Sequence, residues 1–313
     1  MGWRSVIITQ PSYLSLAVHA LQIKQGEHQV QIPLEDISVL IIDHAQITLT
    51  GQLLTACALH QVCVITVDAT HHPNGVYLPF LPHSRALKVM RAQMALSAPA
   101  RKQLHKTLIQ QKIKNQATVL ACHGQDAGAR YLYKLAGTVR SGDPDNIEAQ
   151  AAKSYFSALF GAGFQRRNER FHNAALNYAY AVVRAAIARC LVSYGFLPAF
   201  GLFHSNEQNA FNLADDLIEP FRAFADAWVL RHFPAERDDE LTRTDKASLV
   251  ALLHEDIVLN GHVDDGACTL LVAIEAVVIS LSRIVQGSSN ESLSLPSLQA
   301  TLARQSVMDQ NDE

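Results

Sequence analysis

Residues 38–68, SVLIIDHAQITLTGQLLTACALHQVCVITVD, decide how the first part of the chain folds. The runs SVLIID and VCVITVD are short and rich in β-branched residues, which is typical of strands. Between them, apolar residues at helical spacing follow Thr50, a suitable helix N-cap. This pattern predicts a small β domain with one short helix over residues 1–80, together with the earlier strand-like runs SVII, YLSLAV, LQIKQ and VQIP.

The hydrophobic pattern changes after residues 71–79, HHPNGVYLP. The Pro-Asn-Gly in this stretch is typical of a turn, and we expect it to lead the chain out of the β domain. From Ser84 onward, apolar residues recur with a helical period in long Ala- and Leu-rich segments. The sequence therefore predicts an α+β protein, with a larger all-α domain over residues 81–288. The polar tail over residues 289–313 is expected to be flexible or loosely docked.

The composition is that of an ordinary globular protein. The chain has 313 residues, of which 49% are hydrophobic and 18% charged. The N-terminus lacks the basic region and cleavage site of a signal peptide, and we expect no apolar run long enough to span a membrane. A cytoplasmic protein is the resulting expectation. The five cysteines form no CxxC pair, which indicates buried thiols rather than disulfides or zinc ligands.

The distribution of charge is more informative than the net charge of −3. Between Ala69 and Gly142 there are eleven lysines and arginines and one acid, whereas the segment from Pro234 to Glu313 has fourteen acids and five bases. A basic helical surface favours polyanions such as nucleic acids. A solvated helix face that pairs with acids elsewhere in the fold explains the same charges equally well.

The segment GDPDNIEAQAAKSYFSALF, residues 142–160, carries the first candidate site residue. Asp143 and Pro144 are typical of a helix start, and Glu148 follows beside an apolar stripe. A carboxylate at the margin of the core requires a cation, either an arginine or a metal ion. A glutamate in the first turn is also favoured by the helix dipole alone, so this segment does not distinguish a structural from a functional role.

The second acidic segment is FHSNEQNAFNLADDLIEPFR, residues 203–222. Its acids at 215, 216 and 219 lie within about one helical turn, where like charges repel by about a few tenths of a kcal/mol per exposed pair. A divalent ion is one compensation for these charges, and Arg222 alone is the simpler one. Pro220 restricts the backbone at Glu219 and is expected to interrupt the helix there, which would fix the direction of that carboxylate.

Glu148, His204 and Glu219 would provide one imidazole and two carboxylates if the fold brings them together. This donor set suits Mg²⁺ or Mn²⁺ better than structural zinc, and it points to phosphodiester chemistry. The spacing of the three residues does not establish that they converge. Nearby guanidinium groups match phosphate oxygens, and the candidates are Arg166, Arg167 and Arg170.

These segments, in this order and together with MGWRSVIITQPSYLSL and HNAALNYAYAVV, resemble the CRISPR-associated adaptation integrases, the Cas1 family, and among them the type II version. The similarity covers nearly the whole chain. It implies a metal-dependent DNA endonuclease and integrase whose helical domain is catalytic. It also implies that Glu148, His204 and Glu219 are the catalytic residues and the ligands of Mg²⁺ or Mn²⁺, with Asp216 as a further acid of the last motif.

The same resemblance implies the partners. The substrates would be double-stranded DNA, both as the spacer precursor and as the CRISPR repeat, and new spacers would be inserted by attack of a 3′-hydroxyl on the repeat phosphodiester. The N-terminal β domain would form a homodimer. Two such dimers would flank a dimer of the small nuclease-fold protein Cas2 in a heterohexamer.

Two other functions are compatible with parts of the sequence. A non-catalytic DNA-binding scaffold would use the basic segment and leave the acids structural. A metal-dependent hydrolase of small phosphate esters would use the acids and leave the basic segment without a purpose. The ordered motifs favour the integrase over both.

Overall fold

The computed structural model describes residues 2–311 except 70–72, 81–82, 162, 165, 167–170, 235–236, 238, 261–265 and 289–290, and from residue 306 onward it describes the backbone only. The first part of the chain forms two four-stranded sheets. Its elements are β1 Arg4–Ile8, β2 Ser12–Ala17, β3 Ala20–Gln25, β4 His28–Pro33, β5 Ile37–Ile42, β6 Ile47–Leu49, α1 Gly51–Leu59, β7 Cys63–Val67 and β8 Pro73–Tyr77.

The six predicted strands and the intervening helix are confirmed. The Thr50 side chain accepts a hydrogen bond from the Leu53 N–H at 3.2 Å, which caps α1 as expected. One sheet has the order β1–β5–β7–β8, with the first three strands parallel, and the other has the order β4–β3–β2–β6. Sequence patterns had not indicated β6, a three-residue strand that pairs with β2.

The expectation of a turn over residues 71–79 is wrong. Pro73–Tyr77 forms the edge strand β8, which pairs with β7 in antiparallel orientation. An edge strand has hydrogen-bonding partners on one side only, so it tolerates Pro73 and Gly75. Gly75 is required by a close approach, since a Cβ there would collide with the hydroxyl of Thr66. Residues 71 and 72 of this stretch lie outside the described part of the chain.

Strand β5 lies between the two hydrophobic cores, and all six of its residues are buried. Val39 and Ile41 pair in register with Cys63 and Ile65 of β7, and these four side chains face the core of the helical region. Leu40 and the residues of the opposite face pack into the smaller core between the sheets. The β domain is therefore fused to the helical region through a sheet buried on both faces.

The second part of the chain is mainly helical. The helices are α2 Ala86–Ala95, α3 Ala98–Cys122, α4 Asp126–Thr138, α5 Ile147–Phe160, α6 Phe171–Ser193, α7 Asn212–Leu217, α8 Glu219–His232, α9 Arg243–Ala251, α10 Leu270–Val285 and α11 Leu298–Asn311. The expectation of an all-α domain is wrong in one respect. After α9 the backbone becomes extended, and β9 Asp256–Ile257 pairs with β10 Cys268–Thr269 in a short antiparallel ribbon.

Helix α6 corrects a second expectation. By length and composition it is the one helix in the described part of the chain that could cross a membrane. Of its most apolar window, 78% is buried inside the protein, because α6 packs in the centre of the large core. A long apolar helix is therefore explained here by core packing.

The tail over residues 289–313, expected to be mobile or loosely docked, is docked between residues 291 and 305. Leu293, Leu295 and Leu298 are buried in the large core, and the chain then continues into α11. Leu259 pairs with Pro296 in an isolated β-bridge. Alternating leucines thus anchor a segment whose serines and acids are typical of a mobile tail.

Candidate metal centre

The two glutamates predicted as ligands meet at one lysine. Glu148 lies in the first turn of α5, and Glu219 begins α8. The Nζ atom of Lys112, from the middle of α3, is 2.5 Å from Glu148 Oε1 and 2.5 Å from Glu219 Oε2. These carboxylate oxygens are therefore separated by no more than twice that distance. Both also lie at helix N-termini, where the peptide dipoles favour negative charge.

Asp143 fixes the start of α5 and with it the position of Glu148. Its two carboxylate oxygens accept hydrogen bonds from the N–H groups of Ile147 and Glu148, both at 2.9 Å. The helix begins at Ile147 and not at Pro144, because residues 143–146 form a turn in which Asp143 and Asn146 adopt positive φ. Asp143 thus caps the helix, as expected, although it lies four residues before Ile147, the first residue of α5.

Glu219 is held in place by two cations. It is only 4% exposed, and the Arg222 Nε atom lies 3.0 Å from its Oε1. Burial alone would raise the pKa of Glu219, but the charges of Arg222 and Lys112 outweigh burial and lower this pKa to about 2. The carboxylate is therefore ionised at any physiological pH.

The kink expected at Pro220 is confirmed, since α7 ends at Leu217 and α8 begins at Glu219. The Pro220 carbonyl accepts a hydrogen bond from the side-chain amide of Asn115 at 2.8 Å. Asn115 also donates to the carbonyl of Pro296, and it accepts from the N–H of Leu298 in the docked tail. The start of α8, the middle of α3 and the tail are thereby joined at one buried amide.

Asp216 positions His204. Its Oδ1 lies 2.8 Å from His204 Nδ1, and the carboxylate also accepts from the backbone N–H groups of residues 202, 203 and 204. The hydrogen bond to Asp216 raises the pKa of His204. A carboxylate bound to one ring nitrogen fixes the direction of the other, which is the usual arrangement behind a metal-binding histidine. Asp216 thus acts through His204 and through the backbone of its loop.

The three clustered acids of the second segment, Asp215, Asp216 and Glu219, each have their own partner, so the predicted repulsion is relieved locally. Asp215 forms an ion pair with Arg184, whose Nε atom is 2.5 Å from Asp215 Oδ1. Arg222 therefore compensates Glu219 rather than the acids as a group. Asp215 has a structural role on the side of α7 that faces α6.

Gly201 permits the loop that carries His204. A Cβ at this position would collide with the carbonyl oxygen of His204 and would lie 2.7 Å from Asp216 Oδ2. The substitution Gly201→Ala should therefore displace the loop, and we expect the reaction that the family resemblance implies for this site to slow by about 10²-fold, the cost of a misplaced catalytic group. The measurement is the single-turnover rate of the implied strand-joining reaction at a fixed concentration of Mg²⁺.

Gly137→Ala is the matched control for that substitution, because its Cβ would meet no atom within 4 Å. This variant should react at the wild-type rate. Equal rates for both alanine variants would show that the position of the loop does not matter for the chemistry.

The residues fit a divalent ion in donor chemistry. Two carboxylates already flank one cationic position, and His204 lies close enough to Glu219 for that charge to contribute to its raised pKa. No group of three or more His, Cys, Asp or Glu side chains in the described part of the chain is assembled closely enough to hold an ion as it stands. Coordination by all three would therefore require the side chains to rearrange around the lysine.

Two residues of the centre were not singled out by the sequence. Lys112 is one of eleven bases in the segment from Ala69 to Gly142, and His105 belongs to none of the motifs described above. His105 is buried, its ring stacks on Phe203 with centroids 3.8 Å apart, and its Nδ1 has no hydrogen-bond partner within the described structure. Burial, the largest effect, lowers the pKa of His105. One sequence signal connects these two residues: His105 and Lys112 are seven positions apart, which places both side chains on the same face of α3.

Most bases of the segment from Ala69 to Gly142 are exposed on the protein surface. Lys112 is buried and Lys106 half-buried, whereas the remaining nine bases are exposed on and beside α2, α3 and α4: Arg85, Lys88, Arg91, Arg101, Lys102, Lys114, Arg130, Lys134 and Arg140. The arginines that follow α5 are the candidates for phosphate contacts. Among them, Arg166 donates hydrogen bonds to the side chains of Asn173 and Asn177 at 2.7 and 2.8 Å. Arg167 and Arg170 lie outside the described residues.

Comparison with known proteins identifies the relatives of this chain. The profile of the family described as CRISPR associated protein Cas1 matches residues 5–255. The CRISPR-associated endonuclease Cas1 of Neisseria meningitidis serogroup C (strain 8013) is 43% identical over 299 residues, which cover 95% of this chain and 97% of that protein.

Two solved structures share the fold. A casposase bound to integration product superposes with a TM-score of 0.75 at 20% identity, over 93% of each chain. A Cas6-RT-Cas1–Cas2 complex gives a TM-score of 0.70 at 17% identity, over 91% of this chain and 35% of the other. The profile match and the identity to the Neisseria protein decide the assignment: the chain belongs to the Cas1 family of CRISPR-associated proteins.

Proposed function

We propose that this protein is a CRISPR adaptation integrase, a metal-dependent DNA endonuclease and transesterase that inserts short foreign DNA fragments into a CRISPR array. The observation that carries the proposal is the meeting of Glu148 and Glu219, from two different helices, beside the loop that holds His204. The exposed bases of α2, α3 and α4 provide a surface for DNA phosphates.

The reaction is an exchange of phosphodiester bonds. The 3′-hydroxyl of the fragment attacks a phosphorus atom at a repeat boundary, a new P–O bond forms, and the bond to the 3′-oxygen of the repeat strand breaks. One hydroxyl proton is lost and one is gained, so the step requires no oxidant or reductant. Attack by water at the same position gives the endonuclease activity.

The side chains divide the work. Glu148, His204 and Glu219 would hold Mg²⁺ or Mn²⁺, and when bound the ion supplies Lewis-acid stabilisation of the charge that develops on the phosphate. Asp216 orients the imidazole through Nδ1. Arg166, whose guanidinium lies over the rings of Phe156 in α5 and Tyr180 in α6, would neutralise a phosphate of the DNA.

The proposed assembly follows the relatives. A Cas1–Cas2 complex is among the structures of the same fold, and we propose a homodimer that joins Cas2 and double-stranded DNA in a heterohexamer in the cytoplasm. The β domain is the proposed dimerisation surface. It exposes several large apolar side chains that a protein partner would cover: Trp3, Tyr13, Val18, Val30, Leu59 and Tyr77.

An integration assay tests this function. The protein, its Cas2 partner, a DNA fragment with free 3′-hydroxyls and a repeat-containing plasmid should give joined product in Mg²⁺ or Mn²⁺. Chelator, or fragments with 3′-deoxy ends, should abolish the product. A scaffold would retain DNA without joining it, and a small-ester hydrolase would act without DNA ends. Product formed in the presence of chelator would contradict the metal-dependent mechanism.

A further inference from the structure

Lys112 occupies the position between the two glutamates of the candidate centre. It extends from the middle of α3, and its side chain is only 9% exposed. Its Nζ atom lies 2.5 Å from a carboxylate oxygen of Glu148 and 2.5 Å from one of Glu219. A buried ammonium requires neutralising charges. Here those charges belong to the same two side chains that would bind the divalent ion.

The charges balance without a metal ion. Lys112 and Arg222 carry two positive charges, and Glu148 and Glu219 carry two negative ones. Arg222 faces Oε1 of Glu219 and Lys112 faces Oε2, so both oxygens of this carboxylate are engaged. A divalent ion bound by both glutamates would therefore take the position of the Lys112 ammonium. If the ammonium stayed in place, the ion and the ammonium would repel each other at contact distance.

The contact between Lys112 and Glu219 is a buried ion pair. The Nζ atom of Lys112 lies 2.5 Å from Oε2 of Glu219. Coulomb attraction depends on the charge of the cation and on its separation from this oxygen. Another cation at the same position would therefore be attracted by the same carboxylate.

We propose that Lys112 is an internal counter-ion that competes with the metal ion. In the metal-free protein it holds the two carboxylates together, and an incoming ion must displace it, which lowers the apparent affinity for that ion. The inference rests on the proposed function in one respect, namely that the centre binds a divalent ion. Lys112 is accordingly a positioning residue, since it acts through the two glutamates.

Binding of Mn²⁺ to purified variants, followed by the loss of the free-ion signal in electron paramagnetic resonance, tests the competition. Lys112→Met should bind Mn²⁺ about tenfold more tightly than the wild type, or tighter still, because the repelling charge is gone. In chelator the same variant should unfold at a lower temperature than the wild type, since the two carboxylates are no longer bridged. Mn²⁺ should then raise its unfolding temperature by more than it raises that of the wild type.

Two further variants complete the design. Lys114→Met lies on the exposed, opposite side of α3 and should match the wild type in both measurements. Lys112→Gln also removes the charge but retains a hydrogen-bond donor; it carries the same expectation as Lys112→Met and decides the matter if that variant does not fold.

The possible results separate the two claims. Mn²⁺ bound by the wild type, with equal or weaker binding by both Lys112 variants, would overturn the competition and leave the metal centre intact. No Mn²⁺ bound by the wild type or by either Lys112 variant would overturn both, because the metal centre itself would then be absent. Tighter binding by the variants, lost again when Glu219→Gln is added, would establish competition at these carboxylates.

Discussion

Glu219→Gln should abolish strand joining while the protein still folds and retains DNA. Glutamine has the shape of glutamate but not its charge, so the centre would lose one of its two anionic ligands. The Lewis-acid contribution of a bound ion is several kcal/mol, and each 1.36 kcal/mol corresponds to a factor of ten, so we expect a loss of about 10³-fold or more. The measurement is the single-turnover rate of joining at saturating Mg²⁺.

Glu207→Gln is the control for this result, because Glu207 is an exposed acid between His204 and α7. It should join DNA at the wild-type rate. Retention of labelled DNA should be similar for the wild type and both variants, and Glu207→Gln should unfold at the wild-type temperature. Glu219→Gln should fold but unfold at a lower temperature, because Lys112 and Arg222 lose their shared buried counter-charge. A rate for Glu219→Gln within about tenfold of the wild type would be too small an effect for a metal ligand and would remove Glu219 from that role.

Asp226→Ala should cause the largest loss of stability. Asp226 is fully buried in α8, where its carboxylate accepts hydrogen bonds from Tyr155 at 2.9 Å and from Tyr180. Alanine would leave two buried hydroxyls without an acceptor, at about 1–3 kcal/mol each. We therefore expect the free energy of unfolding to fall by about 2–5 kcal/mol, measured by urea denaturation.

The same substitution should affect the site. The guanidinium of Arg222 lies 4.7 Å from the centre of the Tyr180 ring, and Arg222 in turn binds Glu219. Loss of the Tyr180 anchor would loosen this stack. Asp226→Asn, which keeps one acceptor oxygen, should lose about half as much stability. Equal stability of the wild type and the alanine variant would show that water satisfies both hydroxyls.

Local signals in the sequence predicted much of the fold. The β-branched run of β5 and the Thr50 cap of α1 are read within a few residues of the chain, and both are confirmed. Strand β8 was missed because its pairing with β7 outweighs the turn propensity of Pro73 and Gly75. The tail was missed because its docking depends on a distant partner, the buried amide of Asn115.

The site was predictable only as a set of residue types. Glu148 and Glu219 are separated by two intervening helices, so their approach depends on tertiary packing and not on spacing. The resemblance to the Cas1 family implies a role for both glutamates and for His204, whereas their spacing in the sequence does not. The charge pattern could not show that Lys112 is buried between the glutamates, since it resembles ten other bases in the same segment.

The central claim is that Glu148, His204 and Glu219 would hold a metal ion that supplies Lewis-acid stabilisation at the reacting phosphodiester, including the oxygen that leaves the repeat strand. The most direct test replaces that 3′-bridging oxygen by sulfur at the insertion site, because sulfur is a poor ligand for Mg²⁺ and a better one for the softer Mn²⁺. The account predicts that joining to this target is blocked in Mg²⁺ and restored in Mn²⁺. The same degree of inhibition with both ions would contradict it.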